Sequence, residues 1–220
     1  MVALENVTKS YRTRTGRVDA LRDVSLGINQ GEFVVLRGPS GSGKTTLLMT
    51  IAAMLRPTSG SVRIEQNDLY AMSTQDRARF RARNIGFVFQ MFHLVPYLNI
   101  VENVILASQT AGRIDPSAQA GELLKRLGLA ERASHKPAEL SAGEKQRTAI
   151  ARALFNRPKI ILADEPTGNL DGENATSVFG HLSGFHRSGG TVIVATHGAA
   201  AEKFADRVIN MREGSIESSA

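Results

Sequence analysis

Gly38-Pro39-Ser40-Gly41-Ser42-Gly43-Lys44-Thr45 is the stretch that decides the fold, because it fits the phosphate-binding pattern G-x-x-x-x-G-K-[ST] without a mismatch. Its glycines allow backbone N–H groups to turn inward around phosphate oxygens. Lys44 can then reach the β- and γ-phosphates, and the Thr45 hydroxyl can bind Mg²⁺. The stretch therefore predicts a site for a nucleoside triphosphate with its magnesium ion.

The residues on either side of this loop predict its structural context. Residues 32–37 indicate a strand that leads into the loop, and residues 45–55 indicate a helix whose partly positive N-terminus faces the phosphates. Because strand, loop and helix agree, a glycine-rich turn without function is the weaker interpretation. The predicted nucleotide-binding residues of this segment are Gly38, Ser40, Gly41, Ser42, Gly43, Lys44, Thr45 and Thr46.

Length and composition favour one globular unit, with room for a subdomain. The chain has 220 residues, 42% of them hydrophobic, and no apolar run approaches the ~20 residues that span a bilayer. Residues 1–6 lack a basic region followed by an apolar core, so we expect no signal peptide. The absence of cysteine excludes disulfides and thiolate metal sites and is compatible with a reducing cytosol.

The net charge of +6 leaves two classes of anionic partner open, nucleic acid and a membrane surface. Aromatic residues make up only 5% of the chain and tryptophan is absent, so no row of stacking platforms for single-stranded nucleic acid is visible. The densest basic run, residues 77–83, is explained either by a solvated, arginine-rich helix or by a specific anion site.

Hydrophobic periodicity predicts the order of the remaining elements. Strands are expected over residues 4–11, 22–28, 61–65, 85–89, 159–163, 191–195 and 207–211, with residues 12–17 as a polar turn. The spacing is helical over residues 99–156, and a further helix is expected over 172–187 between two strands, as in a parallel crossover unit. These elements predict a nucleotide-binding α/β core that carries a helical subdomain.

An acidic pair follows the apolar run at residues 160–163. At the carboxyl end of a strand beside the phosphate loop, Asp164 can hold Mg²⁺ and Glu165 can orient and deprotonate the attacking water. Without the phosphate loop, a surface turn would explain the pair equally well. Behind such a loop, the pair predicts the metal and catalytic carboxylates.

With Leu140-Ser141-Ala142-Gly143-Glu144, the chain resembles the ABC-type ATPase subunits over essentially its whole length. The resemblance implies ATP and Mg²⁺ as cofactors and a P-loop NTPase core with a mainly parallel sheet, an N-terminal antiparallel β-subdomain and an inserted helical subdomain. It implies one domain over residues 1–220, with the core at 1–89 and 158–220 and the helical subdomain at 90–157. The implied catalytic residues are Glu165, His197, Gln90 and Lys44; the implied metal ligands are Thr45, Gln90 and Asp164; the implied further ATP contacts are Tyr11, Ser141, Gly143 and Asp171.

The signature stretch also has a physical interpretation of its own. Ser141 and Glu144 form a capping box that begins a helix over residues 142–155, and the helix N-terminus can receive an anion. In the family this anion is the γ-phosphate held by the other subunit, so the resemblance implies a head-to-tail homodimer. Ala142 and Glu144 depart from the usual glycine and glutamine, and we expect reduced rather than abolished closure. Gly198 stands where the family often has an acid, which puts one family contact in doubt.

Two of the implied residues have ordinary alternatives. Tyr11 is also explained as a strand tyrosine, and His197 as a satisfied histidine at a strand end. The other histidines, His93, His135, His181 and His186, show no metal-binding spacing and receive no role.

Within the family, residues 84–96 and 165–171 are most similar to the lipoprotein-release and macrolide-exporter type of ATPase. This implies integral membrane permease-type partners and a cytoplasmic location, peripheral on the inner face of the membrane. Residues 91–98 are unusually apolar, which fits either a groove for a partner helix or packing inside the helical subdomain.

The resemblance implies an ATP-hydrolysing subunit that powers lipoprotein release or efflux-type export through a separate membrane partner. Two other functions compete with this transport interpretation. One is an ATP-switched regulatory module like the cell-division relatives of this branch. The other is a DNA-repair or ribosome-associated ATPase, but such relatives usually carry two cassettes or long coiled coils, so no nucleic acid is expected.

Overall fold

The computed structural model describes residues 1–14, 16–108 and 115–217. Its strands are β1 Val2–Thr13, β2 Gly16–Ile28, β3 Phe33–Arg37, β4 Ser59–Ile64, β5 Asn67–Asp68, β6 Ile85–Val88, β7 Ile160–Asp164, β8 Thr191–Thr196, β9 Arg207–Arg212 and β10 Ser215–Ile216. Its α-helices are α1 Lys44–Ile51, α2 Thr74–Asn84, α3 Ile100–Ile105, α4 Pro116–Arg126, α5 Ala142–Leu154 and α6 Gly172–Arg187. None of the helices in these ranges is long and apolar enough to cross a bilayer.

The larger sheet has the strand order β10-β9-β3-β8-β7-β6. Its strands run parallel from β9 to β6, and only the short edge strand β10 is antiparallel. Every residue of β6 and β8 is buried, as expected for strands that helices or a second layer cover on both faces. The mainly parallel core predicted from the apolar runs is confirmed.

Alternating side chains of the larger sheet pack into two hydrophobic cores, one on each face. Val34 and Leu36 face one core, which also contains α1 and the smaller sheet. Phe33 and Val35 face the other, which contains residues of α3, α4, α5 and α6. Because side chains alternate along a strand, the larger sheet packs against the helices on one face and against α1 and the smaller sheet on the other.

The smaller sheet is antiparallel, with the strand order β2-β1-β4-β5, and it is the N-terminal β-subdomain predicted above. The predicted turn over residues 12–17 is wrong. β1 continues to Thr13 and β2 begins at Gly16, with Arg12 opposite Arg17, and residue 15 lies outside the described residues. This end of the hairpin is exposed, so its polar composition reflects solvent contact and not the absence of a strand.

Helix ends differ from the predictions by a few residues where the backbone departs from helical angles. α1 ends at Ile51 and not near residue 55, because Ala53 has φ 57° and the amide of Leu55 donates back to the Met49 carbonyl. α6 has the predicted bounds. Helices α3, α4 and α5 lie within the predicted helical range 99–156, of which residues 109–114 lie outside the described residues.

The arginine-rich run forms the solvated helix α2, in which no residue is buried. Arg79 pairs with Asp76, and Arg77 lies over the ring of Tyr70. Arg81 donates to the Ala53 carbonyl. These contacts explain the arginines as parts of an exposed helix.

Candidate functional site

The phosphate loop joins β3 to α1 and requires glycine at specific positions. Gly41 and Gly43 have φ of 80° and 101°, angles that favour glycine. A Cβ on Gly43 would lie 2.4 Å from the Ala20 carbonyl oxygen, and one on Gly38 would lie 2.2 Å from that of Met211. The loop is therefore closely packed between β2 and β9.

Lys44 and Ser42 provide buried polar groups inside this loop. Lys44 is 6% exposed, and its ammonium donates to the carbonyls of Gly38 at 2.6 Å and Pro39 at 3.0 Å. The Ser42 hydroxyl is buried and has no hydrogen-bond partner within the described part of the chain. A cation and an unsatisfied hydroxyl beside a helix N-terminus fit a phosphate group.

Thr45 and Asp164 come together although they lie on different elements. The Thr45 hydroxyl, at the start of α1, donates to Asp164 Oδ1 at 3.0 Å at the end of β7. Burial raises the pKa of Asp164, the nearby Glu165 raises it further, and the Thr45 hydrogen bond and Lys44 lower it. A hydroxyl and a carboxylate are the hard oxygen ligands that suit Mg²⁺, so these residues fit that ion.

The Glu165 side chain is held from two sides. Its Oε2 accepts from the Thr196 hydroxyl at 3.1 Å, and its Oε1 lies 3.0 Å from His197 Nδ1. The backbone of Glu165 has φ 43°, and its N–H donates to the Ala195 carbonyl. Such a left-handed conformation at a non-glycine residue persists only where its surroundings enforce it, as they do in many functional sites. His197 is 71% exposed, so it can contact a ligand while it holds the carboxylate.

Gln90 follows β6 and lies against the turn after Glu165. A Cβ on Gly168 would lie 2.9 Å from Gln90 Nε2, and the Gln90 carbonyl accepts from Asn169 Nδ2 at 3.3 Å. Gln90 is exposed, which leaves its amide free to move toward a ligand. Thr46 follows Thr45 in α1, and its carbonyl accepts from the Thr50 hydroxyl.

A second group of predicted residues lies at the N-termini of α5 and α6. The capping box is present: the Ser141 hydroxyl accepts from the Glu144 N–H at 3.2 Å, and Glu144 Oε2 accepts from the Ser141 N–H at 2.8 Å. Gly143 is buried, and a Cβ there would lie 2.1 Å from Asn174 Oδ1. Asn174 donates from its backbone and its amide to Asp171, the N-cap of α6. Asn174 therefore links the signature to Asp171.

The two departures in the signature are accommodated. Ala142 is the first residue of α5 and is not among the residues with positive φ, so its methyl group adds no backbone strain. Glu144 Oε1 accepts from Arg132 Nε at 2.9 Å. The backbone hydrogen bond from Ser141, with the Arg132 side chain in addition, lowers the pKa of Glu144. The carboxylate is thus charged but neutralised by a neighbour that the sequence pattern did not reveal.

Tyr11 and Gly198 complete the set. Tyr11 lies in β1, is 41% exposed, and has the Lys9 ammonium 5.2 Å from its ring centre. An exposed ring can stack on a base, and this role stays a prediction. The Gly198 N–H donates to the Thr196 hydroxyl at 3.0 Å, so Gly198 helps to orient the group that holds Glu165.

A groove of about 1040 Å³ lies elsewhere in the described part of the chain. It is bordered by α4, α6 and the turns before β7 and β8, and none of the predicted site residues in the described ranges lines it. The chemistry lies at the other ends of these strands, where the phosphate loop and the acidic pair are.

Comparison with known proteins decides the family. Residues 21–168 match the family model described as ABC transporter. The chain belongs to the ABC transporter family. The resemblance predicted from the motifs is confirmed, and the chain is an ATPase of this family with ATP and Mg²⁺ as cofactors.

Similar ABC transporter proteins indicate the branch. The chain is 44% identical to the lipoprotein-releasing system ATP-binding protein LolD 2 of Caulobacter vibrioides, over 99% of this chain and 96% of the relative. It is 44% identical to the macrolide export ATP-binding/permease protein MacB of Chlorobaculum tepidum, over 98% of this chain and 33% of that longer protein. The lipoprotein-release and macrolide-exporter likeness predicted from the sequence is confirmed.

Solved structures of an ABC transporter cassette have the same fold. The dimeric structure of the bacterial cassette MJ0796 matches with a TM-score of 0.94 and 40% identity, over 99% of this chain and 97% of that one. A dimeric post-hydrolysis state of MJ0796, bound to ADP and Pi, matches equally well. The predicted fold class is confirmed.

Proposed function

We propose that this ABC ATPase closes as a head-to-tail homodimer around two MgATP molecules and thereby drives separate integral membrane permease subunits in lipoprotein release or efflux-type export. The observation that carries the proposal is the division of the predicted ATP contacts. The phosphate loop, the acidic pair and His197 form one group, whereas Ser141 and Gly143 lie at the N-terminus of α5 beside Asp171. In a head-to-tail pair, the signature end of each chain would face the phosphate loop of the other chain and complete its ATP site.

Within each site, the residues would divide the work as their contacts suggest. Lys44, Ser42 and the loop N–H groups would bind phosphate oxygens, and Thr45, Asp164 and Gln90 would hold the metal. Bound Mg²⁺ would neutralise charge on the β- and γ-phosphates. Glu165, held by Thr196 and His197, would take a proton from the attacking water. Ser141 and the α5 N-terminus of the partner would contact the γ-phosphate.

A second surface supports the membrane partner. Three large exposed apolar side chains, Met91, Tyr97 and Leu106, lie in the first part of the proposed helical subdomain, and Met54 follows α1. A groove of about 300 Å³ is lined by Met54, Arg81, Ala107 and Arg152, among other residues. We name residues 91–98 the docking segment; its Met91 and Tyr97 are 68% and 74% exposed, while Phe92 and Val95 are half-buried. The segment thus packs inward and still offers apolar surface to a partner helix.

The relatives support the transport assignment. LolD 2 is named for lipoprotein release, and MacB joins ATP-binding and permease parts in one chain. This chain spans 33% of MacB, and we propose a permease subunit as its membrane partner from the likeness to LolD 2 and MacB together. We place it at the inner face of the cell membrane, in the cytoplasm, with residues 90–157 as the helical subdomain that carries both the signature and the docking segment.

The test is recovery of partners from detergent-solubilised native membranes with tagged Glu165→Gln protein, with and without MgATP. We expect an integral membrane protein with a large extracytoplasmic domain. The variant Met91→Ser/Tyr97→Ser should lose it, whereas Val18→Ser, which removes another exposed apolar side chain, should keep it. Recovery of soluble or nucleic-acid-bound partners alone would contradict the membrane assignment. Co-recovery of a cell-wall hydrolase would favour the regulatory alternative.

A further inference from the structure

Arg152 connects the signature helix to the docking segment. It lies near the C-terminal end of α5, and its guanidinium donates to the His93 carbonyl at 2.5 Å and to the Phe92 carbonyl at 2.6 Å. Burial lowers the pKa of Arg152, so this cation is desolvated where it makes both bonds. Charge-assisted hydrogen bonds in such a setting are among the stronger polar contacts in proteins.

The two carbonyls belong to residues in an unfavourable conformation. Phe92 and His93 have φ of 54° and 47°, the left-handed region that non-glycine residues seldom occupy. The Phe92 N–H donates to the Phe89 carbonyl, and the rings of Phe89 and His93 meet edge to face at 4.8 Å. Because the conformation is unfavourable by itself, its geometry depends on groups that hold it from outside, and Arg152 is one of them.

The other end of the docking segment is held by Asn103 of α3. Asn103 is 0% exposed; its Oδ1 accepts from the Val95 N–H at 2.7 Å, and its Nδ2 lies 3.1 Å from the carbonyls of Val95 and Leu98. Hydrogen bonds from α3 therefore hold the backbone of the docking segment in a defined position. Asn103 attaches it to the neighbouring helix α3, and Arg152 attaches it to α5.

α5 reaches the predicted ATP contacts at its other end. Ser141 caps its N-terminus, and Gly143 packs against Asn174 beside Asp171. From Ser141 to Arg152 the helix spans about 16 Å, at 1.5 Å per residue. A helix moves as a rigid body over this length, so a displacement at the signature reaches Arg152.

We infer that Arg152 is a positioning residue that transmits the ATP-dependent position of α5 to the docking segment. The inference rests on the proposed dimer closure, in which Ser141 is drawn toward a γ-phosphate. Movement of α5 would shift the Phe92 and His93 carbonyls through the guanidinium, and the exposed Met91 beside them would follow. Partner contact at the docking segment would act on Ser141 by the same route in reverse, since coupling between two sites is reciprocal.

Amide hydrogen exchange of residues 91–98 tests this inference without a membrane partner. In Glu165→Gln protein, which retains Arg152, MgATP should change the exchange rate of these amides by about fivefold or more, the lower end of common coupling effects. In Glu165→Gln/Arg152→Gln protein the change should disappear. The matched control is Arg126→Gln, which removes an exposed arginine from the last turn of α4 and should leave the response intact.

A conservative variant separates positioning from folding. Arg152→Lys keeps the charge but lacks the rigid fork that reaches two carbonyls, so its MgATP response should be intermediate. Sedimentation of the same samples reports dimer formation separately. If the protein that retains Arg152 and the Arg152→Gln and Arg152→Lys variants all dimerise and their docking segments respond equally to MgATP, the inference is wrong. The proposed function would not be affected by that result. Absence of any MgATP-dependent dimer would overturn both the inference and the proposed function.

Discussion

Burial raises the pKa of the Asp164 carboxyl above its ordinary value, so we expect the charged carboxylate to destabilise the nucleotide-free protein. With a folded pKa above the unfolded one, the folded state binds the proton more tightly. The cost is therefore full at pH values above the folded pKa and disappears as the pH falls below the unfolded pKa.

We expect Asp164→Asn to raise the Tm of the nucleotide-free protein at pH 8, because the amide has no charge that burial penalises. The gain should shrink as the pH is lowered toward the ordinary value of 3.8. Asparagine can still accept from Thr45, but Mg²⁺-dependent ATP binding should be lost. Thermal unfolding across this pH range checks the prediction, and a lower Tm at pH 8 would contradict it.

In the proposed dimer the Glu144 charge would lie near a phosphate, and Arg132, which donates to this carboxylate, would offset it. Arg132→Ala should therefore weaken MgATP-dependent dimerisation of Glu165→Gln protein several-fold, whereas the same change in a Glu144→Gln background should have little effect. Sedimentation of the four combinations measures the coupling. Equal effects of Arg132→Ala in both backgrounds would show that Arg132 acts in another way.

Sequence alone predicted the residues whose expected roles follow from a motif, such as Lys44 and Asp164. It missed Arg132, Asn174 and Thr196, which touch Glu144, Asp171 and Glu165 respectively. These residue types are common, and what they contact depends on how distant segments pack. No local pattern around them indicates a partner.

At the scale of elements, the packing of α5 on α6 explains Gly143. A Cβ there would meet Asn174 Oδ1, which cannot move away freely because Asn174 also donates to Asp171. Gly143→Ala should therefore lower the free energy of unfolding of the wild-type protein. In an Asn174→Ala background the same change should instead raise it by up to about 1 kcal/mol, because alanine favours a helix over glycine. Denaturant unfolding of the four proteins checks this sign change, and a loss in both backgrounds would contradict it.

Most elements followed from hydrophobic periodicity, since β3, β7 and β8 are buried apolar runs and α6 has clear ends. The errors occurred where that signal is weak. The β1–β2 hairpin tip is exposed on both faces, so it carries no alternation to mark it as a strand. The early end of α1 depends on the backbone at Ala53, a residue whose type favours helix continuation.

At the scale of the whole molecule, Thr45 and Asp164 meet at the ends of α1 and β7, whereas the docking segment is attached to α3 and α5. Within the single chain, hydrogen bonds already hold the acidic pair in place, from Thr45 to Asp164 and from Thr196 and His197 to Glu165. Ser141 is ordered as well, through its capping box. In the proposed dimer, a complete ATP site forms only when the phosphate loop of one chain faces the Ser141 end of α5 in a second copy.

Mixing two inactive variants tests that central claim most directly. Lys44→Ala removes the phosphate-loop cation, and Ser141→Arg blocks the signature end of α5, so each protein alone should hydrolyse ATP very slowly. In an equimolar mixture, activity should recover to about one quarter of the wild-type value, because half of randomly paired dimers are mixed and each holds one complete site of two. No recovery on mixing, or full activity of Ser141→Arg protein alone, would contradict the claim that each ATP site is shared between two chains.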